Sequence, residues 1–363
     1  MVEFIPGVKL TESFYKEVLK DLIEDSFPDL QYSIGRVGQG SDVLGYDTEM
    51  STDHGWGLWI EVFLNESDFK EYSDSAKKML SERLPRSFQG YPTHFARETP
   101  EESWVAQPKN DGPINHRIEF YTIRSFFESR IGFNPHETPV PADWLAFTEH
   151  SLLEVTGGKI FYDGLNQLHN IREKFQYYPD EVWRYLLAAQ WGRIGQEDHL
   201  MGRAGYVGDE IGSRIIASRL VRDIMRLCFL MEKKYAPYPK WFGTAFKKLK
   251  VSNEMQPLLL ETLEAKNWKT RDLHWSHVCE LAVEYHNQLN ITESIDARVH
   301  SFHGRPFSSI GADEISNRIR ETINDKEVRD LPSRLGSIDQ FSDSTDLLSY
   351  AKLKKKIKNV YYQ

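Results

Sequence analysis

The chain has few cysteines, no long apolar run and no surplus of positive charge, and each shortage removes a class of protein. Only two cysteines, Cys228 and Cys279, occur in 363 residues, both in helix-like apolar stretches. That excludes a disulfide scaffold and a cysteine zinc site, and it points to a reducing compartment. No apolar run approaches the roughly 20 residues that span a bilayer, so no membrane association is expected. The opening MVEFIPGVKLTESFY lacks the basic start and apolar core of a secretory signal, and a cytoplasmic location is expected. The formal net charge is −9, so nothing steers the chain onto polyanions, and nucleic acid is an unlikely partner. A phosphate loop ending in Gly-Lys-Ser/Thr, a dinucleotide Gly-x-Gly-x-x-Gly and a Gly-x-Ser-x-Gly turn are also absent from the sequence. His150, His169 and His199 are scattered, and His300-x-x-His303 has no nearby partner, so no histidine metal spacing exists.

What is present is an ordinary globular balance, 40% hydrophobic and 27% charged, with aromatics at 13% including nine tryptophans. The length suggests two domains, with room for a third. Residues 9–26 read as a helix with Thr11 as N-cap and Phe14, Val18, Leu19 and Ile23 at helical spacing. QYSIGRV and the run Leu58–Leu64 read as strands, and residues 66–84 as a helix. RIEFYTI (117–123) alternates, with Arg117, Glu119 and Tyr121 on one face and Ile118, Phe120 and Thr122 on the other. A short helix is expected over 124–133, a longer one over 143–158, a strand over 159–163 and a helix over 164–178. Pro179 marks the expected boundary. Beyond it the pattern is helical to about Asn290, in five segments. In 206–235, Ile211, Ile215, Ile216, Leu220, Ile224, Leu227 and Leu230 form the expected apolar face. Further on, RPFSSI (305–310) reads as a strand or extended dock, residues 312–324 as a helix, and KLKKKIK (352–358) as a solvated basic tail or a contact for an acidic partner.

The stretch from Gly38 to Leu64, GQGSDVLGYDTEMSTDHGWGLWIEVFL, organises the rest. It runs from a strand into a Gly40-Ser41 turn, crosses a loop carrying Asp42, Asp47, Glu49 and Asp53, and enters a second strand. Glycine lets backbone N–H groups press against a phosphate, and a carboxylate entering the next strand can hold a divalent ion beyond it. An ordinary hairpin turn is the alternative reading of Gly-Ser.

This arrangement resembles the nucleotidyltransferase fold of the antibiotic adenylyltransferases and DNA polymerase beta: Gly-Ser, then Asp-x-Asp on the second strand, then a third carboxylate on a later strand. The stretches GSDVLGYDTEMSTDHGWG, GYPTHF, LLEVTGGKIFYD, YLLAAQWGRIGQE, GDEIGSR, RLVRDIMRLCFLMEKKYAPYPKWFGTAF and HNQLNITE make the chain similar to an uncharacterised nucleotidyltransferase-like family that carries a domain of unknown function. The resemblance implies that Gly40 and Ser41 contact a triphosphate, that Asp53 is the first metal ligand, and that Mg²⁺ with ATP or another nucleoside triphosphate is bound. The second ligand should stand at position 55, which is Gly55. Asp47 or Glu49 is a conceivable substitute, although loop carboxylates are usually solvated. Glu119 is the candidate third carboxylate and metal ligand, or else a surface partner of Arg117. His54 is expected to pack or hydrogen-bond rather than bind metal.

The helix 206–235 carries Asp209, Glu210, Arg214, Arg219, Arg222, Asp223 and Arg226. Its arginines either pair with acidic residues such as Glu197, Asp198 or Glu232, or clamp an anionic ligand. Antibiotic nucleotidyltransferases place a base glutamate on a helical domain, and Glu197 and then Glu210 are the candidates here. Arg214, Arg222 and Lys240 are candidate phosphate contacts, and the aromatic segment around Lys240 is either a stacking wall or a core corner.

The fold expected is therefore an α/β nucleotidyltransferase-like sheet domain (1–178), followed by an α-helical bundle domain (179–310) and a C-terminal helical extension with a basic tail (311–363). The expected activity is transfer of AMP from Mg-ATP to a hydroxyl of a small-molecule acceptor. The alternative, motivated by Gly55, is a catalytically degenerate nucleotide- or anion-binding protein. A third reading is an interaction protein whose helical half docks a protein partner.

Overall fold

Alternating or continuous apolar runs around Ile34, Ile60, Ile118 and Ile160 bury their side chains by pairing into one mixed sheet. The computed structural model describes residues 3–100 and 102–362. The strands are β1 (Tyr32–Arg36), β2 (Trp59–Leu64), β3 (Arg117–Tyr121) and β4 (Lys159–Asp163), in the order β3-β2-β1-β4. β1 is antiparallel to β2 and to β4, while β2 is parallel to β3. The parallel pair needs a crossover, and the helix Glu66–Arg83 supplies it. β1 and β2 are covered on both faces, so nearly every residue in them is buried, the polar Ser33, Arg36 and Glu61 included. β3 is covered on one face, so its pattern alternates, with Ile118 and Phe120 buried and Arg117, Glu119 and Tyr121 half-buried.

The chain divides into two compact units: residues up to Thr138 together with Ser151–Gln176, and Pro139–His150 together with the chain from Tyr177 onward. In the first, Leu10, Phe14 and Leu19 pack in one core with Ile34, Ile60 and Leu80. The first helical run begins at Gly7, earlier than expected, and passes through a π-helical turn at Tyr15–Leu19 before ending at Ser26. Thr11 is not its N-cap. It lies buried inside the helix, and its hydroxyl donates to the carbonyls of Gly7 (2.9 Å) and Val8 (3.1 Å).

The second unit is helical. Its long members are Asp180–Tyr206, Glu210–Met231, Ser252–Glu264 and Trp268–Gln288, with Pro239–Phe246 between the second and third. On Glu210–Met231 the expected apolar face is buried only from Leu220 onward, and Ile211 and Ile215 are 75% and 57% exposed. The segment 143–158 is two helices, Pro141–Ala146 and Glu149–Thr156. The Glu149 N–H donates to the Asp339 carboxylate at 2.9 Å, so a distant side chain starts the second helix. The helix expected over 164–178 is confined to Leu168–Lys174. The basic tail is not simply solvated: Lys354 is buried, Lys358 pairs with Asp143 at 2.6 Å, and the Tyr361 hydroxyl donates to the Gly336 carbonyl at 2.9 Å. Among the described residues, no helix is long and apolar enough to cross a membrane.

Candidate functional site

β1 ends by carrying Arg36 into the interior, where it is fully buried. An unpaired guanidinium there would cost several kcal/mol, so the chain turns back to supply an anion. Asp42 accepts from Arg36 Nε at 2.7 Å and from Nη2 at 2.9 Å. Arg36 also donates to the carbonyls of Val37 (2.9 Å) and Gln39 (2.6 Å). The turn is thus wound around a guanidinium. Gly40 is required by this closure. It sits at φ +142°, and a Cβ there would lie 2.2 Å from Asp42 Oδ1 and 2.3 Å from Arg36 Nη2.

The turn leaves donors unclaimed. The Gly38 N–H donates to the Glu154 carbonyl, and those of Leu44, Gly45 and Tyr46 donate to the carbonyls of Gly40, Asp42 and Ser41. Between them, among the described residues, the N–H groups of residues 39–43 meet no acceptor, and neither does the Ser41 hydroxyl. Gln39 is exposed, and Gly40 and Ser41 are half-buried. Successive N–H groups beside glycines in positive-φ conformations form a concavity that attracts anions.

Two glutamates stand in register beside this turn's root. Glu61 on β2 aligns with Glu119 on β3, and aligned residues of adjacent strands share a face. Glu61 is buried, accepts from the Val37 N–H at 3.0 Å and lies 3.4 Å from Arg36. Burial raises its carboxyl to about 7 despite Arg36. The two-pronged Asp42 is therefore the main counter-charge. Burial alone would lower the Arg36 pKa, but Asp42 and then Glu61 outweigh it and hold the guanidinium charged. Glu119 pairs with Arg117 at 3.3 Å. Arg117 lies 4.1 Å from the Trp104 ring centre and Arg97 4.5 Å from it. The Gly55 N–H donates to the Trp104 carbonyl at 2.8 Å.

The expected metal ligands Asp53 and Glu119 each sit beside a partner of their own, His54 and Arg117. Asp53 ends a 3-10 turn, Glu49–Asp53, with its side chain 63% exposed and 2.9 Å from His54 Nδ1. Gly55 has φ +60° and open space where a Cβ would stand. Glu49 is exposed. Asp47 is not solvated: it accepts from the Gly7 N–H at 2.7 Å and from Trp56 Nε1 at 3.0 Å, pinning the loop to the first helix. Among the described residues, no three His, Cys, Asp or Glu side chains are grouped so as to hold a metal ion. The carboxylates present do not fit a two-ion centre, whose ligands must share one focus.

In the helical unit the candidates are held by partners of their own unit. Glu197 accepts from Arg219, and among the described residues its second, buried oxygen meets no donor. Glu210 accepts from Arg214 and Arg271. The Arg271 hydrogen bond chiefly holds its carboxyl below the usual range, which makes it a weak base. Arg222 reaches Asp343 at 3.4 Å, and Arg226 reaches Glu149 at 3.6 Å. Lys240 lies 5.1 Å from the Trp241 ring centre.

Sequence reading passed over Arg36, Glu61 and Trp104. For Glu61 the available signal was a charge inside the apolar run WIEVFL, and for Arg36 a charge at the end of YSIGR, just before the glycine turn. A family model described as Domain of unknown function (DUF4037) matches residues 144–242. No curated protein matches. Among solved structures, the chain is similar to a nucleotidyltransferase-like protein from Exiguobacterium sibiricum 255-15, at 10% identity and a TM-score of 0.34, over 80% of this chain and 82% of that one.

Proposed function

We propose that the first unit holds the phosphate chain of a nucleotide at the turn formed by residues 38–43, in a nucleotidyltransferase-like protein that has lost its metal-binding carboxylate pair at Gly55. The observation that carries this reading is the run of unclaimed N–H groups at residues 39–43, set beside Gly38 and Gly40 and supported from below by the buried Arg36–Asp42 pair. Gly40 and Ser41 are its phosphate contacts. Glycine allows the close approach, and the Ser41 hydroxyl adds a donor.

A second reading keeps the transfer reaction: AMP passes from ATP to a hydroxyl of a small-molecule acceptor, with Mg²⁺ on Asp53 and Glu119. It is favoured by the contact chain from Gly55 through Trp104 and Arg117 to Glu119, which ties the Asp53 loop to the third strand. For that chemistry Glu119 must leave Arg117 and Asp53 must turn away from His54. Arg214, Arg222 and Lys240 as phosphate contacts, and Glu197 or Glu210 as the base, belong to this second reading.

Calorimetric titration with ATP, with and without Mg²⁺, and a pyrophosphate-release assay over a panel of hydroxyl acceptors separate the two. Saturable binding without release supports the first reading. Release supports the second. Absence of binding removes both and leaves the helical unit's docking of a protein partner as the function to pursue.

A further inference from the structure

The first unit contains a groove of about 450 Å³ between the helix Glu66–Arg83 and the start of β3. The helix contributes Lys77, Lys78 and Ser81, and the strand side contributes Asn115, Arg117 and Glu119. None of the residues of the glycine turn lines it.

Its walls are fixed and its charges are not balanced. The Ser81 hydroxyl donates to the Ile114 carbonyl at 2.6 Å, which ties the helix to the strand's approach. Asn115 donates to the Phe95 carbonyl at 2.8 Å and accepts from Arg117 Nη2 at 2.7 Å, so the guanidinium is held from one side. His116 is committed: one ring nitrogen meets the Lys77 carbonyl at 3.1 Å and the other accepts from the Ile118 N–H at 3.1 Å. Burial lowers its pKa, so it adds no charge. Three cations therefore face one carboxylate. Glu119 answers Arg117, and among the described residues Lys77 and Lys78 have no carboxylate within salt-bridge distance. Arg97, on the same tryptophan as Arg117, adds a fourth positive charge nearby and donates to the Pro100 carbonyl. Like charges gathered in a concave site raise the local concentration of anions, and a volume of this size suits a small molecule.

We infer that this groove is a second binding site, for a compact anion bearing at least two phosphate or carboxylate charges, held by Lys77, Lys78 and Arg117. The site shares no lining residue with the nucleotide turn. Arg117, whose Nε donates to the His116 carbonyl at 3.0 Å and whose Nη1 faces Glu119, supplies a fixed positive charge at the strand side, and the lysines supply point charges that tolerate different anion shapes.

The test is calorimetric titration of the full chain at low salt, without nucleotide, using citrate and, separately, inorganic pyrophosphate. The variants are K77A/K78A and the charge-conserving K77R/K78R, each checked for native circular dichroism. The expected result is saturable binding of at least one anion, weakened tenfold or more in K77A/K78A and recovered in K77R/K78R. Binding of pyrophosphate alone assigns a phosphate ligand, and binding of citrate alone assigns a carboxylate ligand. Failure of both anions to bind the natural chain overturns the proposal, as does unchanged affinity in K77A/K78A. Pyrophosphate held at the glycine turn would survive the lysine substitutions, so that outcome overturns the groove and leaves the nucleotide reading standing.

Discussion

Asp42 closes on Arg36 through two hydrogen bonds, 2.7 and 2.9 Å, between residues six apart in the chain. Both side chains are fully buried. The glycine turn therefore owes its shape to a charge pair beneath it. Removing one member strands the other in the interior. Asp42→Ala is expected to cost about 3–5 kcal/mol, measured by urea unfolding, and to abolish ATP binding under conditions where the variant remains folded.

Gly40→Ala tests the same closure from the backbone side. Its added carbon would overlap the Asp42 carboxylate and the Arg36 guanidinium at a φ of +142°. A loss of about 1–3 kcal/mol is expected from the backbone strain alone, together with weaker ATP binding. Unchanged stability would show that the pair is looser than described.

Glu61 gives the fold a pH dependence with a defined sign. Its carboxyl titrates near 7 in the folded chain and near 4.3 when unfolded. Between those values the folded state keeps a proton that the unfolded state has released. Its contribution is fully present below the unfolded value and is lost as pH rises through about 7. The swing is about 4 kcal/mol. Glu61→Gln, which retains an acceptor for the Val37 N–H, is expected to flatten the fall in midpoint temperature between pH 5 and 7 (about the interval that the two pKa values bracket). Part of the slope should remain, because burial also raises Glu149.

Gly55→Asp restores a carboxylate at a position with open space and φ +60°. The backbone cost is about 1–2 kcal/mol. The expected gain is Mg²⁺-dependent tightening of ATP binding, read by calorimetry with and without the ion. An ATP affinity that stays independent of Mg²⁺ would show that position 55 is not a vacated ligand site.

Much of the scaffold was legible because its burial is one-sided. β3 alternates in sequence and in the structure, since only one of its faces is covered. The helix Asp180–Tyr206 was legible as the first helical segment beyond Pro179, although its middle is buried on every side. Other features depended on partners far along the chain. The exposure of Ile211 and Ile215 was hidden, because periodicity shows which residues share a face but not where along the helix that face is covered. Asp339 starts the helix at Glu149 from 190 residues away. In the site, Gly40 and Ser41 were visible as a turn, but the reason for the glycine was not. It lies in Arg36, whose burial is tolerable only once Asp42 has folded back. The loop carboxylates carried no mark separating Asp47, tied to Gly7 and Trp56, from exposed Asp53.

The most direct measurement is amide NMR of the isotopically labelled chain during titration with ATP. The account predicts that the N–H resonances of residues 39–43 move and saturate together, and that the Gly38 N–H, already bonded to Glu154, moves less. Saturable ATP binding that leaves residues 39–43 unshifted, or no binding at all, would contradict it.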